Sequence, residues 1–283
     1  MHKVMLFAPL VLSLAACTQV VTPPTGTLAY GLDTSGKLVT FGLSNAGSSA
    51  STKSITGLAS GDTLVDLDFD PANAALYAFA ASGQVYTVDV SSGAATLNTT
   101  PLTSLVVAKT DFNPAANRVR IFDGSANNSR LTVDPAPLTS PKGTVTADGK
   151  LAYAATDVNA GKTPNLVGAA YTNSYANGGT APLSTSLYSV DASTNTLNVH
   201  SSAAGSTPTG NFSTVTTVGG LGVTLGNNVG FDIVTSGGSG GTNAAYLVNG
   251  TALYTVNLGT GATTQLATLT TTLKALAVSL PTN

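Results

Sequence analysis

Short apolar runs cut off by turn residues recur along this chain, and the stretch Asp66–Gly93 shows them most clearly. One submotif returns: an apolar residue, an aromatic residue or Leu, Thr or Ser, Val, then Asp or Asn. Its copies, of which the first and third are weaker, are Leu38–Gly42, Val85–Asp89, Arg130–Asp134, Leu187–Asp191 and Leu253–Asn257. They end at positions 42, 89, 134, 191 and 257, in steps of 47, 45, 57 and 66 residues. Repeats of about 45 residues with several strands each predict the blades of an all-β propeller.

The residues after three of these copies favour hairpin turns. The pairs, each four residues apart, are Asp89 with Gly93, Asp191 with Asn195, and Asn257 with Gly261. Asp or Asn opens such a turn through a side-chain bond to the backbone, and Gly or Asn accepts the left-handed conformation that closes it. The pattern therefore predicts hairpins between successive strands.

Other apolar runs predict the remaining strands. Candidate innermost strands are Thr63–Phe69, Leu105–Phe112, Leu151–Ala155 and Val229–Ile233, and the strands predicted next to them are Leu28–Leu32, Leu76–Ala80, Arg118–Phe122, Leu166–Thr172 and Ala244–Val248. The first unit lacks an innermost strand, whereas the chain ends with a spare one, Leu273–Ser279. We therefore predict five blades in a ring closed by pairing of this strand with the N-terminal blade, which hides two sheet edges. Splitting the stretch Pro135–Tyr188 would give six blades, a count we favour less, and a β-sandwich or β-helix is the remaining alternative.

The N-terminus has the features of an export signal. Residues 1–16 carry a small basic head and an apolar run too short to span a bilayer permanently. Leu14–Cys17 resembles the bacterial lipobox, in which the Cys is lipidated, and Cys17 is the only Cys of the chain. We predict a signal peptide over 1–16, a lipidated tether over 17–26 and a single propeller domain over 27–283. An ordinary secretory signal with a chance Cys is the alternative. In the class of proteins that this motif resembles, a residue other than Asp after the Cys, here Thr18, favours delivery to the outer membrane.

Composition narrows the class of protein. Only 8% of the residues are charged, the formal net charge is −2, and all 13 acidic residues are Asp. Without a basic surplus, nucleic acid is not an expected partner. His200 is the only His after the signal peptide, which disfavours a His-built metal site and a Ser-His-Asp triad. We expect His200 to be a strand or surface residue.

Alternating acids are the candidate metal ligands. Asp66, Asp68 and Asp70 would share one face of a strand and could bind Ca²⁺ or act as acid and base. The preferred interpretation is that they flank a turn closed by Pro71, with Asp70 capping it. The segment Asp157–Gly161 is similar to the start of a Ca²⁺ loop but lacks the distal Glu, so a turn is again preferred.

All three arginines lie within 13 positions and are the candidate anion-binding residues. Guanidinium groups placed on neighbouring strands could clamp a carboxylate or phosphate. The alternative, which we favour, is internal pairing with Asp111, Asp123 or Asp134. The predicted binding patch comprises Asp111, Asn113, Arg118, Arg120, Asn128, Arg130, Asp157, Asn159 and Asn173.

Several motifs in this part of the chain resemble those of a known family. They are Asp111–Arg120, Asn128–Leu131, Asp148–Tyr153, Asp157–Gly161, Pro164–Asn173 and Gly230–Ile233. In order and spacing they resemble a bacterial secreted family catalogued as domain of unknown function 4394, over about Leu28–Leu280. The resemblance implies an extracytoplasmic propeller-like domain and no established activity.

The function predicted from these observations is a non-enzymatic binding or scaffolding role in the bacterial envelope. Partners would be the membrane, through the lipid anchor, and an envelope protein or glycan. No cofactor is predicted, although the acidic residues would suit Ca²⁺. One alternative is a hydrolase or lyase acting on a sugar or lactone in the central channel, with Asp68, Asp111 or Asp232 as acid, base or metal ligand. Another is a calcium-dependent adhesion module. Three or more Asp side chains converging in the channel would favour an enzyme or metal site, and dispersal among turns would favour binding.

Overall fold

Strands form where the apolar runs lie, because alternating and β-branched residues suit a pleated, half-buried surface. The computed structural model describes residues 22–135, 140–202 and 210–282, which contain 19 strands, one four-residue helix and four sheets. Cys17 and the predicted signal peptide lie outside the described residues. No helix within these ranges is both long and apolar enough to cross a membrane.

The elements follow one another along the chain with short connections. In order they are β1 (Leu28–Asp33), β2 (Leu38–Gly42), α1 (Ala46–Ser49), β3 (Ser51–Lys53), β4 (Leu64–Phe69), β5 (Leu76–Ala80), β6 (Val85–Val88), β7 (Ala95–Thr99), β8 (Lys109–Asn113), β9 (Arg118–Phe122), β10 (Asn127–Leu131), β11 (Val145–Lys150), β12 (Ala152–Tyr153), β13 (Leu166–Tyr171), β14 (Leu187–Asp191), β15 (Thr196–Ser201), β16 (Thr214–Gly220), β17 (Val229–Ser236), β18 (Thr242–Val256) and β19 (Thr263–Val278).

Hairpin-connected neighbours make up the four sheets. Two sheets have four strands each, in the orders β4-β5-β6-β7 and β8-β9-β10-β11. The third has the order β13-β14-β15-β16-β12, where the short β12 pairs parallel to β16. The fourth has six strands, β17-β18-β19-β1-β2-β3, and so joins the two ends of the chain.

The predicted turns are confirmed. Asp89 Oδ1 accepts hydrogen bonds from the backbone N–H groups of Ser91 and Ser92, and Gly93 is left-handed with φ 80°. The turns opened by Asp191 and Asn257 are built in the same way. Their closing residues, Asn195 and Gly261, also have positive φ. The side-chain bond and the left-handed residue together determine where each hairpin reverses.

The first strands of the sheets pack side by side. β4 contacts β8, β8 contacts β13, and β13 contacts β17, while β19 contacts both β17 and β4. Each sheet extends outward from one of these inner strands, and apolar clusters fill the space between neighbouring sheets. This is the arrangement of a propeller.

Two glycines allow the inner strands to approach closely. A Cβ at Gly168 would lie 2.7 Å from Phe231 Cβ, and one at Gly230 would lie 2.4 Å from the backbone nitrogen of Leu276. No side chain fits at these distances, so β13, β17 and β19 require glycine at these two positions.

The long strand β19 pairs with two different strands along its length. Its first part pairs with β18, from Val256 opposite Thr263 onward, and its last part pairs with β1, where Ala29 lies opposite Val278. The C-terminal strand predicted over Leu273–Ser279 is thus hydrogen-bonded to the N-terminal strand β1.

Two strand predictions were wrong. The run Leu151–Ala155 is not innermost, since its strand β12 lies at the outer edge, and β13 is the inner strand instead. Segments Ala244–Val248 and Leu253–Asn257 are not two strands, because β18 continues through both. The Asn-Gly pair between them looks like a turn, yet Gly250, with φ 66°, is accommodated as a register shift in the ladder.

Candidate functional site

Three carboxylates on different inner strands meet at the centre of the molecule. Asp68 belongs to β4, Asp111 to β8 and Asp232 to β17. One oxygen of each lies within 4.8 Å of the others, and the three residues are 5%, 4% and 4% exposed. We call this group the acidic centre. By the criterion set from the sequence, its convergence favours a metal site or an enzyme.

Each carboxylate of the acidic centre also joins two inner strands. Phe112 N–H donates to Asp68 Oδ2 over 2.6 Å, and Tyr171 N–H donates to Asp111 Oδ1 over 2.9 Å. Asp232 Oδ2 in turn accepts a hydrogen bond of 2.6 Å from the N–H of Val278. On these three inner strands an Asp side chain therefore bonds to the backbone of the neighbouring inner strand.

Burial makes these carboxyl groups hard to ionise. It is the largest cause of the raised pKa at each, and it brings the pKa of Asp232 to about 7. The pKa of Asp68 lies well above its usual range because of burial and then because of the negative charge of Asp232. Burial and then the charge of Asp68 act in the same way on the pKa of Asp111. Like charges this close disfavour simultaneous ionisation of all three groups.

Asp66 lies on the same strand face as Asp68 but has a different environment. Its Oδ2 accepts a hydrogen bond of 2.7 Å from Thr110 N–H. Burial raises its pKa, and the charge of Lys109 opposes that rise. The Lys109 ammonium donates to the carbonyl oxygens of Val229 and Lys274, at 2.6 and 2.8 Å, and so links β8 to β17 and β19.

Asp70, the third predicted metal candidate, lies in the turn after β4. Its Oδ1 accepts a hydrogen bond from Ala72 N–H over 2.9 Å, as expected of a turn cap. Burial raises its pKa to about 6. The structure therefore brings Asp68 together with Asp111 and Asp232, whereas Asp66 and Asp70 lie outside the acidic centre.

The arginines form a second buried group, which we call the arginine network and which comprises Arg118, Arg120, Asn128, Arg130 and Asp148. Arg120 is fully buried, and its Nη1 lies 2.5 Å from Asp148 Oδ2 and 2.7 Å from Asn128 Oδ1. Arg130 binds both oxygens of Asp148, at 2.7 and 2.8 Å. Arg118 donates to Thr146 Oγ1 over 2.9 Å.

Internal pairing of the arginines was expected, but with the wrong acids. The acid that they bind, Asp148, belongs to β11, which pairs with β10. A register shift in this ladder, between Asn128 and Ser129, accompanies that pairing. Strand register across two hairpins decided the partner, and spacing along the chain did not reveal it.

The remaining patch residues are bonded elsewhere. Asp157 accepts a hydrogen bond of 2.7 Å from Asn159 N–H, which confirms the predicted turn, and another of 2.7 Å from Thr217 N–H in β16. Asn113 Oδ1 accepts from Ala115 N–H over 2.9 Å. Asn173 has φ 58° and its Nδ2 donates to a carbonyl oxygen over 2.7 Å.

His200 lies in β15 and is buried next to the arginine network. Its Nε2 is 2.7 Å from Ser189 Oγ, its Nδ1 is 3.0 Å from the carbonyl oxygen of Phe212, and its ring stacks on Phe122. Burial lowers the pKa of His200 to about 4. The imidazole is therefore neutral at physiological pH.

An all-β, propeller-like protein with a buried acidic centre is the class that this fold and site define. The family described as domain of unknown function (DUF4394) matches residues 37–277, and the chain belongs to it. The resemblance found in the sequence is thereby confirmed. No curated protein matches the chain.

Solved structures with similar folds are distant in sequence. A chain of a nidogen/laminin complex is 12% identical with a TM-score of 0.49, and the match covers 91% of this chain and 99% of that one. A structural genomics protein of unknown function from Bacteroides thetaiotaomicron VPI-5482 is 11% identical, with a TM-score of 0.43 and coverage of 78% and 50%. An auxiliary nutrient binding protein from the same organism is 14% identical, with a TM-score of 0.41 and coverage of 78% and 56%. Similarities at this level say nothing about the function of this chain.

Proposed function

We propose that this protein is an exported lipoprotein whose domain, residues 27–283, is a five-bladed propeller with a non-enzymatic binding or scaffolding role in the bacterial cell envelope. Lipidated Cys17 would anchor it in the outer membrane. The binding role is supported by one observation: the candidate catalytic carboxyl groups are already hydrogen-bonded to the backbone and help to hold the fold together. Asp68, Asp111 and Asp232 each accept a backbone hydrogen bond from a neighbouring inner strand and are almost fully buried.

Burial argues for binding over hydrolysis. A hydrolase or lyase needs its acid and base within hydrogen-bond reach of the sugar or lactone. Side chains that are 4–5% exposed cannot offer that contact without opening of the inner strands. Convergence of these carboxylates instead supports the calcium-dependent alternative, for which a small ion is the only ligand that needs to enter.

Blade count and closure are supported by the dual pairing of β19. The last part of β19 can be counted as the inner strand of a blade that also contains β1, β2 and β3. The six-stranded sheet is then divided into two blades. Five inner strands would then form the ring. Deletion of residues 273–283 should abolish cooperative unfolding in a thermal melt, since it leaves β1 and β4 without their inner neighbour. A truncated protein that melts like the full-length one would contradict closure.

The short segment between Cys17 and Thr22 would determine which edge of the propeller faces the membrane. The described chain begins against α1, where Thr22 N–H donates to the carbonyl oxygen of Ser48 and Thr25 N–H donates to Asn45 Oδ1. Five residues from Cys17 to Thr22 span at most about 17 Å. The edge of the propeller that carries α1 would therefore lie close to the membrane surface.

The loops after three inner strands supply a candidate binding face. Pro71 follows β4, Pro114 follows β8 and Asn177 follows β13, and together they line a small pocket of about 40 Å³ whose rim includes Ala181. Asn177 N–H donates to the carbonyl oxygen of Pro71, which holds two of these loops together. Loops on a rigid scaffold are where binding residues concentrate, so we place the partner here.

Affinity capture from solubilised envelope membranes tests anchor and face together. The wild type should sediment with membranes, carry acyl mass and retain a partner. The Cys17→Ser variant should appear in the soluble extracytoplasmic fraction, because anchoring needs the acyl chains attached to Cys17. Ala181→Arg should lose the partner while Ala94→Arg, on an exposed turn elsewhere, retains it. Wild type that is soluble without acylation would refute the anchor, and equal capture by the two Arg variants would refute the face.

A further inference from the structure

The chain contains two Asn-Gly pairs, one that begins at Asn177 and one that begins at Asn249. In such a pair the backbone nitrogen of the Gly can attack the side-chain amide carbon of the Asn, which is one reason why Asn is a thermolabile residue. Glycine favours this ring closure because it has no Cβ and adopts conformations that other residues avoid. By sequence the two pairs are alike, whereas in the structure they lie in different settings.

The pair at Asn249 is held within strand β18. Asn249 Oδ1 accepts a hydrogen bond of 2.9 Å from Gly226 N–H, and its Nδ2 donates to the carbonyl oxygen of Thr224 over 2.8 Å. The attacking atom is bound as well, since Gly250 N–H donates to the carbonyl oxygen of Asn228 over 2.8 Å. Ring closure here would break all three hydrogen bonds.

The pair at Asn177 lies in the loop that connects β13 to β14. Gly178 and Gly179 are exposed, and Gly178 has φ 59°. Among the described residues, neither the Gly178 N–H nor Asn177 Nδ2 has a hydrogen-bond partner. Asn177 Oδ1 accepts a hydrogen bond of 2.8 Å from Gly179 N–H, which folds the amide over the following backbone and draws electron density away from its carbon. The attacking nitrogen and the leaving group are thus unrestrained, and the amide carbon is close by.

We propose that Asn177 is a self-modification site, at which the side-chain amide is lost through a cyclic imide, while Asn249 keeps its amide. A bond forms between the Gly178 nitrogen and Asn177 Cγ, the bond from Cγ to Nδ2 breaks, and the Gly178 amide proton leaves with the released nitrogen as ammonia. One water molecule then opens the imide. Cleavage of the new bond produces aspartate, and cleavage of the original peptide bond produces isoaspartate.

Either product places a carboxylate on the loop that lines the small pocket together with Pro71 and Pro114. The formal net charge of −2 becomes one unit more negative. Isoaspartate also adds one methylene to the main chain, and so displaces Gly179 N–H and Thr180 N–H, which bond to Asn177 in the unmodified loop. The reaction goes beyond the proposed binding role, since it requires neither an anchor nor a partner.

Peptide mapping by mass spectrometry tests the site in purified protein incubated at pH 7.4 and 37 °C. Asn177 should convert progressively, and Asn249 should convert at least about tenfold more slowly, because the reaction there requires local opening of β18. In guanidinium chloride, which unfolds the chain, the two positions should convert at similar rates. The proposal is overturned by equal rates at the two positions in the folded protein, or by an unchanged Asn177 in folded protein over a period in which the unfolded chain converts.

Three variants assign the change of charge to this position. Isoelectric focusing of the incubated wild type should show an acidic species that accumulates with time. Asn177→Gln should lack it, because a Gln side chain closes a larger ring much more slowly. Gly178→Ala should slow it, since the added Cβ meets nothing within 4 Å but hinders ring closure. Asn227→Gln changes an exposed amide that no Gly follows, and it should behave like the wild type. Accumulation at the wild-type rate in both loop variants, or its loss in Asn227→Gln, would refute the assignment.

Discussion

The arginine network and the acidic centre are both buried, but only the network contains its own counter-charge. Asp148 accepts hydrogen bonds from Arg120 and Arg130, and Arg120 also reaches Asn128 and the hydroxyl of Tyr171. The acidic centre gathers three carboxyls and no cation among the described residues. Burial is the largest cause of the pKa shift in both places, since it lowers the pKa of His200 beside the network and raises the pKa of Asp232 in the centre.

This difference shows that burial alone does not tell whether a group of charged side chains is structural or responds to solution conditions. A buried ion pair that satisfies itself holds strands in register, and removal of one partner leaves the other uncompensated. A buried group of like charge is incomplete within the chain, so it must hold protons or bind an ion. We therefore expect the network to be structural and the acidic centre to respond to solution conditions.

Arg120→Ala should have the largest effect on stability. It removes one ion pair of Asp148 and takes away the N–H groups that donate to Asn128 Oδ1 and to the Tyr171 hydroxyl. We expect a loss of roughly 3–5 kcal/mol in the free energy of unfolding, measured in urea. Arg130→Ala is the matched control, and it should cost less because Arg130 is partly exposed. A loss below about 1 kcal/mol for Arg120→Ala would contradict a structural network.

His200 should give the network a pH dependence of intermediate size. Below pH 6.5 the unfolded chain binds a proton that the folded His200 binds only near pH 4, so stability should fall as pH drops through this window. The full difference corresponds to about 3 kcal/mol. Unfolding free energies of wild type and His200→Gln, compared between pH 7 and pH 4.5, isolate this contribution, because the other titrations are common to both. Parallel curves for the two proteins would refute it.

Asp111→Asn should have the smallest effect on stability when Ca²⁺ is absent. The change removes one of three like charges, and the Asn oxygen can still accept the Tyr171 N–H. Unfolding in urea with EDTA at pH 7 should differ from the wild type by less than about 1 kcal/mol, or be slightly more favourable to the folded state. A loss as large as that of Arg120→Ala would show that the acidic centre is self-sufficient, like the network.

Much of the fold could be predicted from local patterns of residues along the chain. The strand over 118–122 was predicted with its exact bounds, and the turn pairs that begin at Asp89 and Asn257 behave as expected. Prediction failed at β12 and β18, where an apolar run lies at a sheet edge and an Asn-Gly pair does not reverse the chain. In both places pairing with distant strands overrode the local signal.

By itself the sequence determined the all-β class, the repeating units, the hairpin turns and the family, because these depend on neighbouring residues and on their periodicity. Only the tertiary structure decided which charged side chains meet. Asp68, Asp111 and Asp232 come from three different sheets, and Arg120 finds Asp148 two strands away. Such contacts depend on the register and stagger of strands that are far apart in the chain, and a one-residue slip would turn each side chain to the opposite face.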